Sequence, residues 1–179
     1  MRIISGKLKW RRFELPQKNW KTRPTTDKAR ESLFNILSHR IDLEGLKVLD
    51  LFAGGGGVGY EFISRGAEKV CFVDKFGGCE AFIKKMLEEF NIQDFAEVQK
   101  ADVFRYLQQI EEASYDIVFA DPPYGLREML TIPDIVFDRK ILKKEGILII
   151  EHDDRHNFEN HTNFAEVRNY GQSIFSFFE

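Results

Sequence analysis

The chain has 179 residues, 43% of them hydrophobic, and its 26 basic and 29 acidic side chains leave a net charge of −3. That length suits one domain with a proper hydrophobic core. The two cysteines, Cys71 and Cys79, have neither C-x-x-C nor zinc spacing, which excludes a disulfide scaffold and points to reduced, cytosolic thiols. His39, His152, His156 and His161 lack metal-ligand spacing, so no metal is expected, and His152 beside Asp153 reads as a surface residue. No eighteen apolar residues follow one another, and Ile3-Ile4 is too short for a signal-peptide core. A cytoplasmic protein with no membrane span is expected, a monomer by default.

The charge is unevenly spread. Residues 1–30 hold ten basic and two acidic side chains, a surplus of eight, so the remaining 149 residues carry a deficit of eleven. A basic arm on an acidic body fits one face meeting phosphates, although a solvated tail has the same composition. Trp10, Phe13 and Trp20 lie among these charges, where aromatic rings either stack on unpaired bases or pin the arm to the body. The expected division is a basic arm over 1–24 and one domain over 25–179.

In chain order, residues 2–15 alternate roughly between polar and apolar around Ser5-Gly6, which predicts a short β-hairpin-like arm. Thr25-Thr26-Asp27 supplies helix-capping chemistry, and Ala29, Leu33, Phe34, Ile36 and Leu37 follow on one helical face. Strands are expected at 46–52, 69–74, 95–100, 115–120 and 145–151, with helices at 57–65, 77–90, 102–112 and 126–138. Such alternation means βαβ units and a mostly parallel sheet, an α/β fold. Two last strands, 164–170 and 173–178, turn at Tyr170-Gly171-Gln172, so one of them must run antiparallel.

Ligands in such folds bind at the carboxyl ends of the strands. The first strand runs into Asp50-Leu51-Phe52-Ala53 and then Gly54-Gly55-Gly56-Gly57-Val58-Gly59, which satisfies G-x-G-x-x-G at Gly54, Gly56 and Gly59. Glycines there allow tight turning and close backbone approach, and the next helix offers free amides to an anion. The anion could be a pyrophosphate or a methionine carboxylate, and a plain turn satisfies the same pattern. Asp74 ends the second strand, where an acid suits the hydroxyls of a ribose in either kind of nucleoside. After the third strand, Asp102 beside Val103 is placed to accept from an adenine amine, to cap the next helix, or both.

The fourth strand ends in Asp121-Pro122-Pro123-Tyr124. Consecutive prolines lack amide donors and hold the chain extended, presenting the Asp121 carboxylate and nearby carbonyls as acceptors for an exocyclic amine. Tyr124 adds a flat face for a flipped base.

This motif resembles that of S-adenosylmethionine-dependent amino-methyltransferases. MRIISGKLKWRR, KTRPTTDKARESLFNIL, VLDLFAGGGGVGYEFISRGA, DPPY, GILIIEHD and YGQSIFSFF together resemble the RsmD-type methyltransferases of bacteria. Members methylate the N2 amine of one guanine of 16S ribosomal RNA, numbered 966 in the family's name, on assembled small-subunit particles. The resemblance implies a Rossmann-like class I methyltransferase with a seven-stranded, mostly parallel sheet and an antiparallel C-terminal strand. It also implies S-adenosylmethionine as cofactor and 16S rRNA, within the small subunit or its assembly intermediate, as partner. Asp50, Phe52, Ala53, Gly54, Gly56 and Gly59 would form the cofactor loop, with Asp50 near the methionine amine. Asp74 would hold the ribose, and Asp102 with Val103 the adenine. Asp121, the Pro122 carbonyl and Tyr124 would position the guanine. Arg2, Lys7, Arg11, Arg12, Arg23 and Arg30 would meet RNA phosphates, and Asn35 would face the cofactor or join a local network.

The chain departs from the family pattern at Gly55, commonly Ser, at Asp74, commonly Glu, and at Met86, often Asn. Other readings remain open at this level. A DNA adenine or protein glutamine methyltransferase shares DPPY, a nicotinamide oxidoreductase shares the glycine loop, and a non-catalytic RNA-binding relative needs only the arm.

Overall fold

The computed structural model describes residues 1–16 and 25–179. Helix α1 (Asp27–Arg40) is followed by β1 (Lys47–Leu51), α2 (Gly57–Ser64), β2 (Lys69–Asp74), α3 (Gly77–Glu89), β3 (Ala96–Lys100) and α4 (Val103–Leu107). Then come β4 (Tyr115–Ala120), α5 (Ile132–Asp138), β5 (Leu142–His152), β6 (Phe164–Tyr170) and β7 (Ser173–Phe178). The seven strands form one sheet in the order β3-β2-β1-β4-β5-β7-β6. The first five strands in that order are parallel, and β7 lies antiparallel to both β5 and β6. The chain steps outward from β1 through β2 to β3, then returns to place β4 on the other side of β1. That reversal opens a crevice at the carboxyl ends of β1 and β4.

The central strands are apolar on both faces because helices cover both. Val48, Val70 and Ile117 pack with Leu33, Phe34 and Phe62 on one side. Leu49, Cys71 and Val118 pack with Leu107, Ile132 and Val136 on the other. Thr26 caps α1 by accepting the Ala29 amide at 3.2 Å, as its capping sequence predicts.

The N-terminal arm folds back on itself, with the Ile3 amide donating to the Arg11 carbonyl at 2.9 Å and a bridge between Arg2 and Arg12. It is fastened to α2. The Ile4 and Ser5 amides donate to the buried Glu61 carboxylate at 2.8 and 3.0 Å, and the Leu8 amide donates to Ser64 Oγ at 2.9 Å. Ile3, Leu8 and Phe13 enter the first core cluster. Phe13 therefore pins the arm, while Trp10 stays 63% exposed and Trp20 lies outside the described residues.

Three expectations need correction. The helix expected over 102–112 is regular only over Val103–Leu107, since Ile110 turns down into the second core cluster and Arg139 Nη2 holds its carbonyl at 3.2 Å. The helix expected over 126–138 opens as a 3₁₀ turn at Arg127–Thr131 before α5, whose first turn takes Pro133, a residue without an amide donor. His152 is buried rather than on the surface, its Nε2 2.8 Å from Ser176 Oγ and its Nδ1 2.8 Å from the Asp153 carbonyl. Burial lowers its pKa, so it serves as a neutral core residue.

Candidate active site

At the end of β1 the backbone turns sharply. Phe52 takes a left-handed φ of 58°, a strained conformation of the kind that collects at functional sites. Gly56 then caps α2 from the left-handed region at φ 78°, where a Cβ would meet the Tyr60 ring at 2.6 Å. At Gly59 a Cβ would lie 2.1 Å from the Phe72 ring, so only glycine lets α2 pack this closely on β2.

Two acids brace this loop. Asp50, buried on β1, accepts the Gly59 amide at 3.1 Å. Asp74, at the end of β2, accepts the Gly54 amide at 3.0 Å through one oxygen and the Phe76 amide at 2.9 Å through the other. Burial pushes the Asp50 carboxyl up to about 7; the Gly59 hydrogen bond opposes the rise and the nearby Asp74 charge adds to it. Asp50, Phe52, Ala53, Gly54 and Asp74 line a cleft of about 1090 Å³ that runs on to Asp121. Beside Gly55, the position commonly Ser in the family, Leu15 of the arm sits 2.3 Å from where a Cβ would project. Met86, the other apolar departure, is buried in the first core cluster.

Across the cleft, Asp121 follows β4 and Glu151 lies near the end of β5, at adjacent carboxyl ends of parallel strands. Thr25 Oγ lies 3.2 Å from Asp121 Oδ2 and 2.8 Å from Glu151 Oε2. A hydroxyl has one proton to donate, so both contacts are satisfied together only when one of the two carboxyls is protonated. Burial and the Glu151 charge raise the Asp121 pKa well above the usual carboxylate range, and the Thr25 hydrogen bond acts against this. Pro122 is buried, and Tyr124 is 44% exposed at the cleft wall.

Thr25 and Glu151 are cleft residues that sequence reasoning missed. Thr25 looked like capping chemistry, which its neighbour Thr26 supplies instead. Glu151 had a legible signal, an acid at the carboxyl end of the fifth strand, the same rule that singled out Asp74.

Other expected site residues fall elsewhere. Asp102 accepts the Arg105 amide at 3.1 Å and caps α4, while Val103 is buried in the second core cluster. Arg2, Lys7, Arg11 and Arg12 are exposed on the arm; Lys7 sits over the Phe95 ring at 3.6 Å, and Arg2 is 3.7 Å from Asp27. Arg30 does not belong with them. Its side chain is 1% exposed and faces the glycine loop rather than solvent, out of reach of an external phosphate. Asn35 is exposed on α1, its carbonyl 2.6 Å from His39 Nδ1, and it does not face the cleft. Arg23 lies outside the described residues. Among the described residues no cluster of three or more His, Cys, Asp or Glu side chains could hold a metal.

Comparison with known proteins identifies the setting. The model of a family described as Conserved hypothetical protein 95 matches residues 1–179. Ribosomal RNA small subunit methyltransferase D of Buchnera aphidicola (strain APS) is 35% identical over 150 residues, 83% of this chain and 76% of that protein. Its namesake in Escherichia coli K12 is 30% identical over 151 residues, 84% of this chain and 74% of that protein. The chain belongs to the RsmD-type methyltransferase family. The solved structure of yhhF from Escherichia coli matches with a TM-score of 0.84 at 26% identity, covering 99% of this chain and 96% of that one. A methyltransferase from Geobacter sulfurreducens, at 16% identity and a TM-score of 0.66 over 86% of this chain and 79% of that one, shares the fold alone. The seven-stranded RsmD-type sheet is thus a Rossmann-like methyltransferase fold, with its glycine loop and DPPY motif on the two sides of one crevice. No helix among the described residues is long and apolar enough to cross a membrane.

Proposed function

We propose that the protein moves a methyl group from S-adenosylmethionine to the exocyclic N2 amine of a guanine in 16S rRNA, the position numbered 966, on small-subunit particles. The observation that carries this reading is the placement of Asp121-Pro122-Pro123-Tyr124 across one cleft from the Asp50–Gly59 loop and Asp74. The donor set fits the cofactor. Asp74 would hold the ribose hydroxyls, Asp50 the methionine ammonium, and Phe52, Ala53, Gly54, Gly56 and Gly59 would form the loop around it. Asp102 and Val103 would act at the adenine end from the start of α4. When bound, S-adenosylmethionine supplies a methyl group made electrophilic by its sulfonium.

The protein's own work is alignment and charge stabilisation. Tyr124 stacks on the extruded base. Asp121 and the Pro122 carbonyl accept from the N2 amine, favour its pyramidalisation and stabilise the positive charge that develops on nitrogen, and Asp121 or water takes the released proton. The guanine N2 reading draws on the whole-chain family match and on the names of the relatives, which concern the small ribosomal subunit. Arg2, Lys7, Arg11 and Arg12 present the arm's positive charge to RNA phosphates.

The test is incubation with labelled S-adenosylmethionine and small-subunit particles from cells lacking the modification, followed by mass-spectrometric mapping. A single N2-methylguanine in 16S rRNA is expected. Cofactor binding with methylation of DNA or protein and none of the particle would reassign the substrate.

A further inference from the structure

Among the described residues, Arg30 alone leaves two buried side-chain nitrogens unpaired. Its guanidinium is fully buried, yet only Nη2 is satisfied, by Asp27 Oδ1 at 2.9 Å and by the Arg2 carbonyl. Nε and Nη1 have no hydrogen-bond partner among the described residues. Buried donors without partners are costly and call for an explanation. Burial lowers the pKa, but a guanidinium remains charged in a protein.

The unsatisfied side of Arg30 borders the cleft, which Arg30, Gly57 and Val58 help to line. Nη1 lies 2.8 Å from the point where a Cβ on Gly57 would project, and Gly57 opens α2. That helix has no side-chain cap and no acid in its first turn, so its positive end is left for an outside anion. Two residues further on, the same turn meets Asp50 through the Gly59 amide. A buried carboxylate and a buried guanidinium thus flank one helical turn, the complement of a zwitterion with adjacent ammonium and carboxylate groups. The Met1 methyl fills the intervening corner, 2.6 Å from the Gly57 Cβ point, and an unbranched thioether can swing aside at little cost.

Resting on the cofactor reading above, we propose that Arg30 and the first turn of α2 seat the carboxylate of the cofactor's methionine moiety, opposite the ammonium at Asp50. The guanidinium that takes the carboxylate also holds the Arg2 carbonyl, so filling the seat fastens the N-terminal arm.

Binding is measured by calorimetry for S-adenosylhomocysteine and for 5′-methylthioadenosine, which keeps the nucleoside and thioether but lacks the amino acid. The wild-type protein should prefer S-adenosylhomocysteine; Arg30→Met should weaken it roughly ten- to hundredfold and leave 5′-methylthioadenosine unchanged, with Arg30→Lys between. Equal weakening of both ligands, or no change, overturns the assignment while leaving the cofactor reading intact. A wild-type protein that binds neither ligand overturns both. Should Arg30→Met fail to fold, hydrogen exchange on the wild-type protein decides: S-adenosylhomocysteine should slow exchange at the Ile3 and Trp10 amides and 5′-methylthioadenosine should not, and equal protection by both overturns the proposal.

Discussion

Thr25 and Glu151, 126 residues apart in the chain, meet through a 2.8 Å hydrogen bond at the floor of the cleft. The same hydroxyl reaches Asp121, so the segment entering α1 is tied to the DPPY motif by one side chain. Thr25→Val should lower kcat roughly ten- to hundredfold, the scale of one hydrogen bond to a charged group, and leave S-adenosylhomocysteine affinity unchanged. Thr25→Ser should restore most of the rate. Steady-state kinetics beside calorimetry checks this, and an unchanged kcat in the valine variant would remove Thr25 from the mechanism.

Asp121→Ala should nearly abolish turnover while cofactor binding survives, because in the proposed reaction the carboxylate meets the amine and not the cofactor. Single-turnover methylation of ribosomal particles gives the rate, and a variant at full rate would exclude Asp121 from the chemistry.

Asp50 makes stability depend on pH in a defined direction. Its folded pKa of about 7 exceeds its ordinary 3.8, so the folded protein holds a proton that the unfolded chain has released. This contribution is complete below pH ~4 and is lost as pH rises through about 7. Urea unfolding across that window should show stability falling with pH, and Asp50→Asn should flatten the slope. A ligand ammonium beside Asp50 would draw its proton off, so at pH 6 cofactor binding should release protons, seen as a binding enthalpy that varies with the buffer.

Glu61 is the buried anchor of the arm, accepting the Ile4 and Ser5 amides and pairing with Arg65 Nε at 2.8 Å. Glu61→Ala should destabilise the protein by about 3–5 kcal/mol, the cost of breaking a buried charged network from one side. Equilibrium urea unfolding measures the loss, and the Ile4 and Ser5 amides should exchange fastest.

Local patterning made most of the fold legible. Strands such as Lys69–Asp74 and Tyr115–Ala120 are apolar runs bounded by polar residues, and their limits match expectation. The 164–170 and 173–178 hairpin carries its turn glycine, Gly171, at φ 71°. What escaped depends on contacts distant in sequence. Ile110 is drawn out of its helix by the core, Arg30 is turned inward from a basic run, and His152 is buried against Ser176 of a strand more than twenty residues away. Motif spacing located Asp74 and Asp121 because strand ends set the site. It could not supply Thr25 beside them, since that contact joins positions 96 and 126 residues apart and exists only once the sheet is finished.

The order β5-β7-β6 means that β7, later in sequence than β6, is the interior strand of that pair. Phe175, Phe177 and Phe178 fill the core from it, and among the described residues β6 pairs with β7 alone. During synthesis the earlier strands can assemble in sequence, but β6 has no place to dock until β7 has been made. A chain stalled before Ser173 would expose the β5 edge and the apolar surface that β7 covers, an adhesive state that release of the final strand resolves.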